Sequence, residues 1–470
     1  MLIVLSDIHL VDETTGKHNP AFSSFENVFF PHIIALAKSK DVKEIKLLLL
    51  GDTFDILRSE QWLYDELIDR PWGEHGLADV VQPRVGSKTE ERALKILGQL
   101  PEGDFKTDEQ PPSILFKNWK ILEFLRTFKT RVHAELKAEI PVEIIFVPGN
   151  HDRLANVYPR VRDEIAKILN IELSHDNVEM RENGDWWFRT FYMNEAYGIF
   201  ARHGQQFDMW NYGGGEDYTR EGGIQVPIGD VLGCEFATKL AFLLKQMQME
   251  NPFLKDELIE AMKDLGLVRP FTLGMEWLHQ RIKTQDHTET REVLNRIFNE
   301  VLGDLLRIRL VQQWHTPNTR LDNVVRGLSR RWLRWIPDQL LKRLDSEDLL
   351  PFFANIGAHP ADPDRDKHLL AAYNERIWRE NPKIHFIVYG HTHYPAQRAL
   401  DGEGGREVFY LNTGSWRENI FKTLGIDAEH DFIKLKALTY TIFYRGDEDL
   451  EDKTPGTPSF EVWTGTKKKF

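Results

Sequence analysis

The chain opens on four apolar residues, Leu2–Leu5, that stop abruptly at Ser6-Asp7. The same pattern recurs at Ile45–Leu50, Val142–Val147, Gly198–Ala201 and Ile384–Tyr389, each a short β-branched, leucine- or aromatic-rich run closed by glycine or a polar cluster. Runs of this length and composition predict buried β-strands. Between them, Phe22–Ser39 and Leu115–Glu139 read as helices, the second with Trp119, Leu122, Leu125, Val132 and Leu136 near helical spacing. Strand, helix, strand in alternation predicts a layered α/β core. Further strands are expected at Arg406–Asn412, Leu438–Tyr444 and Phe460–Thr464, while Asp55–Ile114, rich in Gly, Pro and charge, reads as dominated by loop.

Residues 230–381 differ in character. Leu294, Ile297, Val301, Leu305 and Ile308 fall at steps of three and four, an amphipathic helix, and Val231–Met249 and Arg365–Glu380 read similarly. The expected organisation is a core in two parts, 1–229 and 382–470, interrupted by a large inserted helical cap at 230–381. Gly213-Gly214-Gly215, just before the insert, suits either a hinge or an ordinary loop.

Composition narrows the class. A chain of 470 residues with 41% hydrophobic and 28% charged residues can bury a large core in two or three units. A net charge of −13 argues against broad phosphate neutralisation along nucleic acid, though not against a local basic groove. The single cysteine, Cys234, fits a buried thiol in a reducing compartment. The start, MLIVLSDIHL, has no basic n-region and no small-residue cleavage site, and the apolar runs are too short to span a bilayer, so a cytoplasmic protein is expected.

The chemistry lies where the strands end. The five runs lead into Ser6-Asp7-Ile8-His9, Gly51-Asp52-Thr53-Phe54-Asp55, Gly149-Asn150-His151-Asp152, His203-Gly204 and Gly390-His391-Thr392-His393. Sites in α/β sheets form beyond the carboxyl ends of strands, where loops converge. Carboxylate, imidazole and amide donors together suit divalent metals such as Mn, Fe, Zn or Co. Alternate residues of an extended segment point the same way, so Asp7 and His9 can face one ion. His391 and His393 do likewise, or divide between two ions if the turn twists. Glycines before Asp52, Asn150 and His391 allow tight turns there. One such motif says little, since a lone histidine is more often a core or surface residue. Five in order, all at strand ends, specify a metal site.

These five motifs resemble the signature of the calcineurin-like metallophosphoesterases, over about residues 1–210 and 380–420. The resemblance implies a four-layer αββα sandwich and two divalent ions, Mn foremost, with Fe, Zn, Co or Mg as alternatives. It implies that Asp7, His9 and His393 hold the first ion and that Asn150, His203 and His391 hold the second. Asp52 would bridge both. His151 would stand at the scissile phosphate, oriented by Asp55. Two such cations clamp the attacking and leaving oxygens of an in-line displacement and favour a bridging hydroxide near neutral pH. A histidine backed by a carboxylate stays oriented and protonated.

The motifs are most similar to two subgroups, the UDP-2,3-diacylglucosamine pyrophosphohydrolases and the SbcCD-type DNA-repair exonucleases. The first usually has Arg where this chain has His151, and the second places a DNA-capping domain after the last motif. The expected reaction is hydrolysis of a phosphodiester or pyrophosphate bond in a nucleotide-containing or lipid-linked substrate. A nuclease acting on DNA or RNA is the alternative, and a non-catalytic scaffold is disfavoured by the intact ligand set. In the insert, the basic and aromatic stretch Arg326–Arg343 fits an anionic membrane surface, a nucleic-acid backbone with Trp332 and Trp335 stacking, or a hairpin with its tryptophans packed inward. Trp210, Tyr212 and Tyr218 suit contact with a base or sugar, or core packing. His18, His175, His315 and His359 read as surface or core residues, and Asp12 and Glu13 as a solvated loop. The pattern does not specify an oligomeric state.

Overall fold

A computed structural model describes residues 1–72, 85–101, 111–251, 253–269, 273–283, 288–314, 363–402, 405–423, 431–451 and 456–467. Its strands are β1 (Leu2–Leu5), β2 (Ile45–Leu50), β3 (Val142–Val147), β4 (Val178–Met180), β5 (Trp186–Phe188), β6 (Tyr192–Asn194), β7 (Ile199–Ala201), β8 (Val268–Arg269), β9 (Phe386–Tyr389), β10 (Ala396–Asp401), β11 (Glu407–Asn412), β12 (Glu418–Lys422), β13 (Phe432–Tyr444) and β14 (Ser459–Lys467). A seven-stranded sheet runs β3-β2-β1-β13-β12-β8, with β14 also on β13, and a five-stranded sheet runs β10-β11-β9-β7-β6. A two-stranded sheet pairs β4 with β5. The α/β class expected from the sequence is what is observed.

Successive side chains of a strand face opposite ways, and here both faces are covered, which is why the strands read as unbroken apolar runs. Leu2 and Val4 of β1, Leu48 and Leu50 of β2, and Ile145 and Val147 of β3 share one cluster with Ile199, Ala201, Phe386, Val388 and Leu411 of the second sheet. The two sheets therefore pack face to face. The alternate residues Ile3, Leu5, Leu47, Leu49 and Phe146 turn to a cluster with the helical segments 22–39, 88–97, 114–136 and 159–169. On the far side, Ile387, Tyr389, Val408 and Tyr410 meet Ala372 and Trp378 from the helices Pro363–Asn374 and Arg376–Glu380.

The five motif-bearing strands fall into two parallel sets. β1, β2 and β3 are parallel neighbours, as are β7 and β9, so each set delivers its carboxyl ends to one edge.

Among the described residues of 230–381 helices dominate, and Leu294, Ile297 and Val301 of the helix Thr288–Arg307 pack with Leu240, Met262 and Trp277 against Ile420 and Phe432 of the large sheet. This stretch also supplies β8, which runs parallel to β12. The stretch Arg326–Arg343, with His315 and His359, lies outside the described residues. Among the described residues no helix is long and apolar enough to cross a membrane. Gly213 and Gly214 press against the backbone of Gln225–Val226 and Gly222, leaving no room for a Cβ.

Two expectations are corrected. The segment expected to be dominated by loop contains the helix Lys88–Leu97, started by Ser87, whose hydroxyl accepts from the Glu90 amide, and ended by Gly98 at φ +84°. Ser-x-x-Glu before an apolar run and Gly after it were legible start and stop signals. Asp12, expected to be solvated, is buried and accepts from Ser59 Oγ (2.5 Å) and Gln61 Nε2 (3.0 Å). Cys234 is buried as expected, and burial pushes its thiol up to about 12.

Leu48 is fully buried between the sheets. Leu48→Ala is expected to lower the unfolding free energy by about 3 kcal/mol in urea titrations, since the rigid strands cannot collapse into the gap. A loss below about 1 kcal/mol would contradict close packing of the two sheets.

Candidate metal centre

The loops after β1 and β2 run side by side. Asp7 N donates to Gly51 O, His9 N to Asp52 O and Leu10 N to Thr53 O, at 3.1, 2.8 and 2.9 Å. From the second sheet, Gly390 N donates to His203 O at 2.9 Å, joining the loops after β7 and β9. Nearby, the buried carboxylate of Asp152 accepts from the amides of Phe54 (2.7 Å), Thr53 (3.0 Å) and Gly149 (3.3 Å), tying the third loop to the second. Burial and neighbouring Asp52 push this carboxyl up to about 7.

The nine predicted site residues are brought together, eight of them in three groups, of which the first and last share His9: Asp7, His9 and His393; Asp52, His203 and His391; and His9, Asp55 and His151. Asn150 joins the second through His391, whose Nδ1 lies 3.1 Å from Asn150 Oδ1. The backbone is not the extended one expected. Asp7, His9, Asp52, His391 and His393 have φ of 52°, 50°, 51°, 69° and 62°, in the left-handed region that side chains rarely adopt. Asp7 and His9 converge because both are left-handed about Ile8, not because they alternate along a strand. The glycines also serve differently. Gly51 has φ +82°, but Gly149 and Gly390 do not make turns of that kind. A Cβ on Gly149 would lie 2.2 Å from Asp52 Oδ1, and one on Gly390 would lie 2.6 Å from Asp7 Oδ2. Those two positions require close approach.

Hydrogen bonds fix which ring nitrogen of each histidine is free. His9 Nδ1 is 3.2 Å from Asp55 Oδ2, His393 Nδ1 is 3.1 Å from Asn419 Oδ1, and His203 Nδ1 is 2.9 Å from Leu50 O. His391 instead uses Nε2, 2.9 Å from Asp208 Oδ2. Each partner is an acceptor, so each of these nitrogens carries a proton, and in the neutral ring the other holds a lone pair. The lone pairs then confront one another. His9 Nε2 and His393 Nε2 are 3.1 Å apart, with Asp7 Oδ1 3.2 Å from His393 Nε2. On the other side, His391 Nδ1 faces Asn150 Oδ1, whose amide nitrogen is turned toward Asn211 Oδ1. Asp7 Oδ1 and His203 Nε2 are buried with no hydrogen-bond partner among the described residues.

The carboxylates are aimed in the same way. Asp7 Oδ2 accepts from Ser6 Oγ and His391 N, and Asp52 Oδ1 accepts from His151 N. Their other oxygens face histidines: Asp52 Oδ2 lies 3.1 Å from His203 Nε2 and 3.6 Å from His9 Nε2. Facing acceptors in a buried site are mutually repulsive unless a cation lies between them. The donor set of imidazole, carboxylate and amide oxygen fits divalent metals, with second partners already orienting every ring.

The electrostatics agree. Burial opposes the charged forms of Asp7 and Asp52, but the adjacent histidines outweigh it and hold both carboxyls well down. Burial, helped by Arg269 and Arg417 respectively, lowers His393 and His9, leaving them neutral as ligands must be. His203 is the exception: burial is outweighed by Asp52 and Asp7, which raise it to about 9. His151 has Nδ1 2.5 Å from Asp55 Oδ1, and Asp55 and Asp52 raise it above its ordinary value against the burial penalty. With its side chain 23% exposed, it is the group of the His9–Asp55–His151 cluster that reaches solvent.

Sequence reasoning missed Asp208, Asn419, Asn211 and Arg417, which act by orienting ligands or Asp55. Asp208, held down at about 2 by His391 despite burial, follows His203 by five positions, a spacing with no strand or helix period behind it. Tyr212, by contrast, is 8% exposed, with its hydroxyl donating to Asp217 O, so that part of the aromatic cluster is packing.

Because His203 must lose its proton to bind a metal, protons compete with the ion below about pH 9. Apparent Mn²⁺ affinity by calorimetry is expected to rise about tenfold per pH unit from 7 toward 9 through this group. A flat profile would show that His203 is not a ligand.

No family model matches this chain, and no curated protein matches it. Mixed α/β sheets and buried Asp/His clusters fit a metallophosphoesterase-like site on geometry alone.

Proposed function

We propose that the protein is a two-metal hydrolase of phosphate esters, of the calcineurin-like metallophosphoesterase type, acting on a phosphodiester or pyrophosphate bond. The observation that carries this reading is the pair of facing acceptors, His9 Nε2 against His393 Nε2 and His391 Nδ1 against Asn150 Oδ1, with Asp52 Oδ2 reaching both sides. The two packed sheets with helices outside them support the sandwich that the motifs suggest.

In this reading Asp7, His9 and His393 would hold one divalent ion, Asn150, His203 and His391 would hold the other, and Asp52 would serve both. Bound there, the pair supplies positive charge at the entering and leaving oxygens of phosphoryl transfer. His151, protonated and held through Nδ1 by Asp55, presents Nε2 as a donor to the leaving oxygen. Asp55 also holds His9 through Oδ2, so one carboxylate sets both the proton donor and a ligand.

The test is Mn²⁺-dependent hydrolysis of bis-p-nitrophenyl phosphate with metal content measured in parallel. Asp52→Asn is expected to lose bound metal and activity together. His151→Ala is expected to keep its metal and lose about 10²–10⁴-fold in kcat. Bound metal with no turnover of any ester would overturn the enzyme reading, and metal loss in His151→Ala would move that residue into the ligand set.

A further inference from the structure

Beside the proposed metal ligands lie three arginines: Arg417, which pairs with Asp55, and Arg58 and Arg269, which the proposed chemistry does not use. Arg58 follows the β2 motif, Arg269 belongs to β8, and Arg417 precedes β12. They converge on Gly266. Its carbonyl accepts from Arg269 Nη1 (3.0 Å) and from Arg417 Nη2 (3.5 Å). Its Cα is so close to Arg58 that an added Cβ would lie 2.5 Å from the guanidinium carbon. Arg58 and Arg417 are 6% and 1% exposed.

Two of the guanidiniums touch residues of the metal centre directly, and Arg58 joins them through Gly266. Arg269 Nη2 is 3.4 Å from His393 Nε2, and Arg417 Nη1 is 3.7 Å from Asp55 Oδ2. Buried cations need anionic partners. Among the described residues the one carboxylate in ion-pair contact with the trio is Asp55, which already accepts from His9 and His151. An acceptor with more lone pairs than a single carboxylate suits three forks of donors, and arginine favours phosphate oxygens in that role.

We infer that Arg58, Arg269 and Arg417 form a second anion subsite next to the metal centre, which takes the non-transferred phosphoryl group of a phosphoanhydride. This rests on the proposed function and narrows its substrate class to pyrophosphate-linked compounds, such as a nucleoside diphosphate conjugate. In the reaction, water oxygen bonds to the phosphorus held beside His151 and the bond to the bridging oxygen breaks. The departing phosphate takes a proton from His151, and water's protons restore His151 and pass to solvent. The trio holds the departing group, so its charge is neutralised as it develops. Because Arg269 comes from the stretch between the two parts of the core, that stretch reads the substrate.

The experiment has a binding arm and a turnover arm. On metal-free protein, calorimetry compares methylenediphosphonate with methylphosphonate. The diphosphonate is expected to bind at least about tenfold tighter, an advantage removed by Arg58→Gln or Arg269→Gln and retained in part by Arg58→Lys. Gly266→Ala, which displaces Arg58 without removing a charge, is expected to weaken it as well. With Mn²⁺, the glutamine variants are expected to lose about tenfold more kcat/KM on UDP-glucose than on bis-p-nitrophenyl phosphate. Equal losses on both esters, or no preference for the diphosphonate in the wild type, would overturn the subsite. An equal loss on a single-stranded oligonucleotide would overturn the anhydride assignment. If the wild type turns over no ester but the arginine-dependent preference holds, the hydrolase reading fails and the subsite stands.

Discussion

Everything at this centre follows from acceptor atoms held against one another in a buried place. His9 Nε2 and His393 Nε2 sit 3.1 Å apart with no proton to share, because Asp55 and Asn419 have fixed their hydrogens on the opposite nitrogens. The same conflict recurs between His391 and Asn150, where Asp208 and Asn211 set the orientation. Folding alone gives no reason to gather lone pairs so closely. A cation between them turns each repulsion into a bond.

The backbone is shaped to permit this gathering. Left-handed conformations at five residues of this centre each cost on the order of 1 kcal/mol or more and persist only where the surroundings leave no alternative. Those surroundings are evident: a parallel β1–β2–β3 platform, amide bonds from one loop to the next, and Asp152 receiving three amides from two loops. Gly149 and Gly390 let the carboxylates of Asp52 and Asp7 come within van der Waals reach of neighbouring backbone. Strain at the ligands is thus offset by a well-packed sheet pair beneath them.

Much of this was legible in the chain because burial on both faces leaves unbroken apolar runs. β1, β2 and β3 match the expected boundaries, and the metal-binding residue types stand directly after them. What was not legible depends on contacts across the sequence. Asn419 and Arg417 meet His393 and Asp55 only through the sheet order, and Asp208 reaches His391 from a loop without periodicity. The short strands β4, β6 and β8 bury too few residues for alternation to show. The extended geometry expected at Asp7 and His9 failed because a strand period cannot report a left-handed residue beyond the strand's end.

The arginines around Gly266 extend the same logic, since buried charge of one sign again defines what must come to meet it. Anomalous diffraction from crystals grown with Mn²⁺ tests the cation pair most directly. Two peaks are expected, one bounded by Asp7, His9, His393 and Asp52, the other by Asp52, Asn150, His203 and His391. A single peak within His9, Asp55 and His151, or no peak with His9 Nε2 and His393 Nε2 bonded to water instead, would contradict the account.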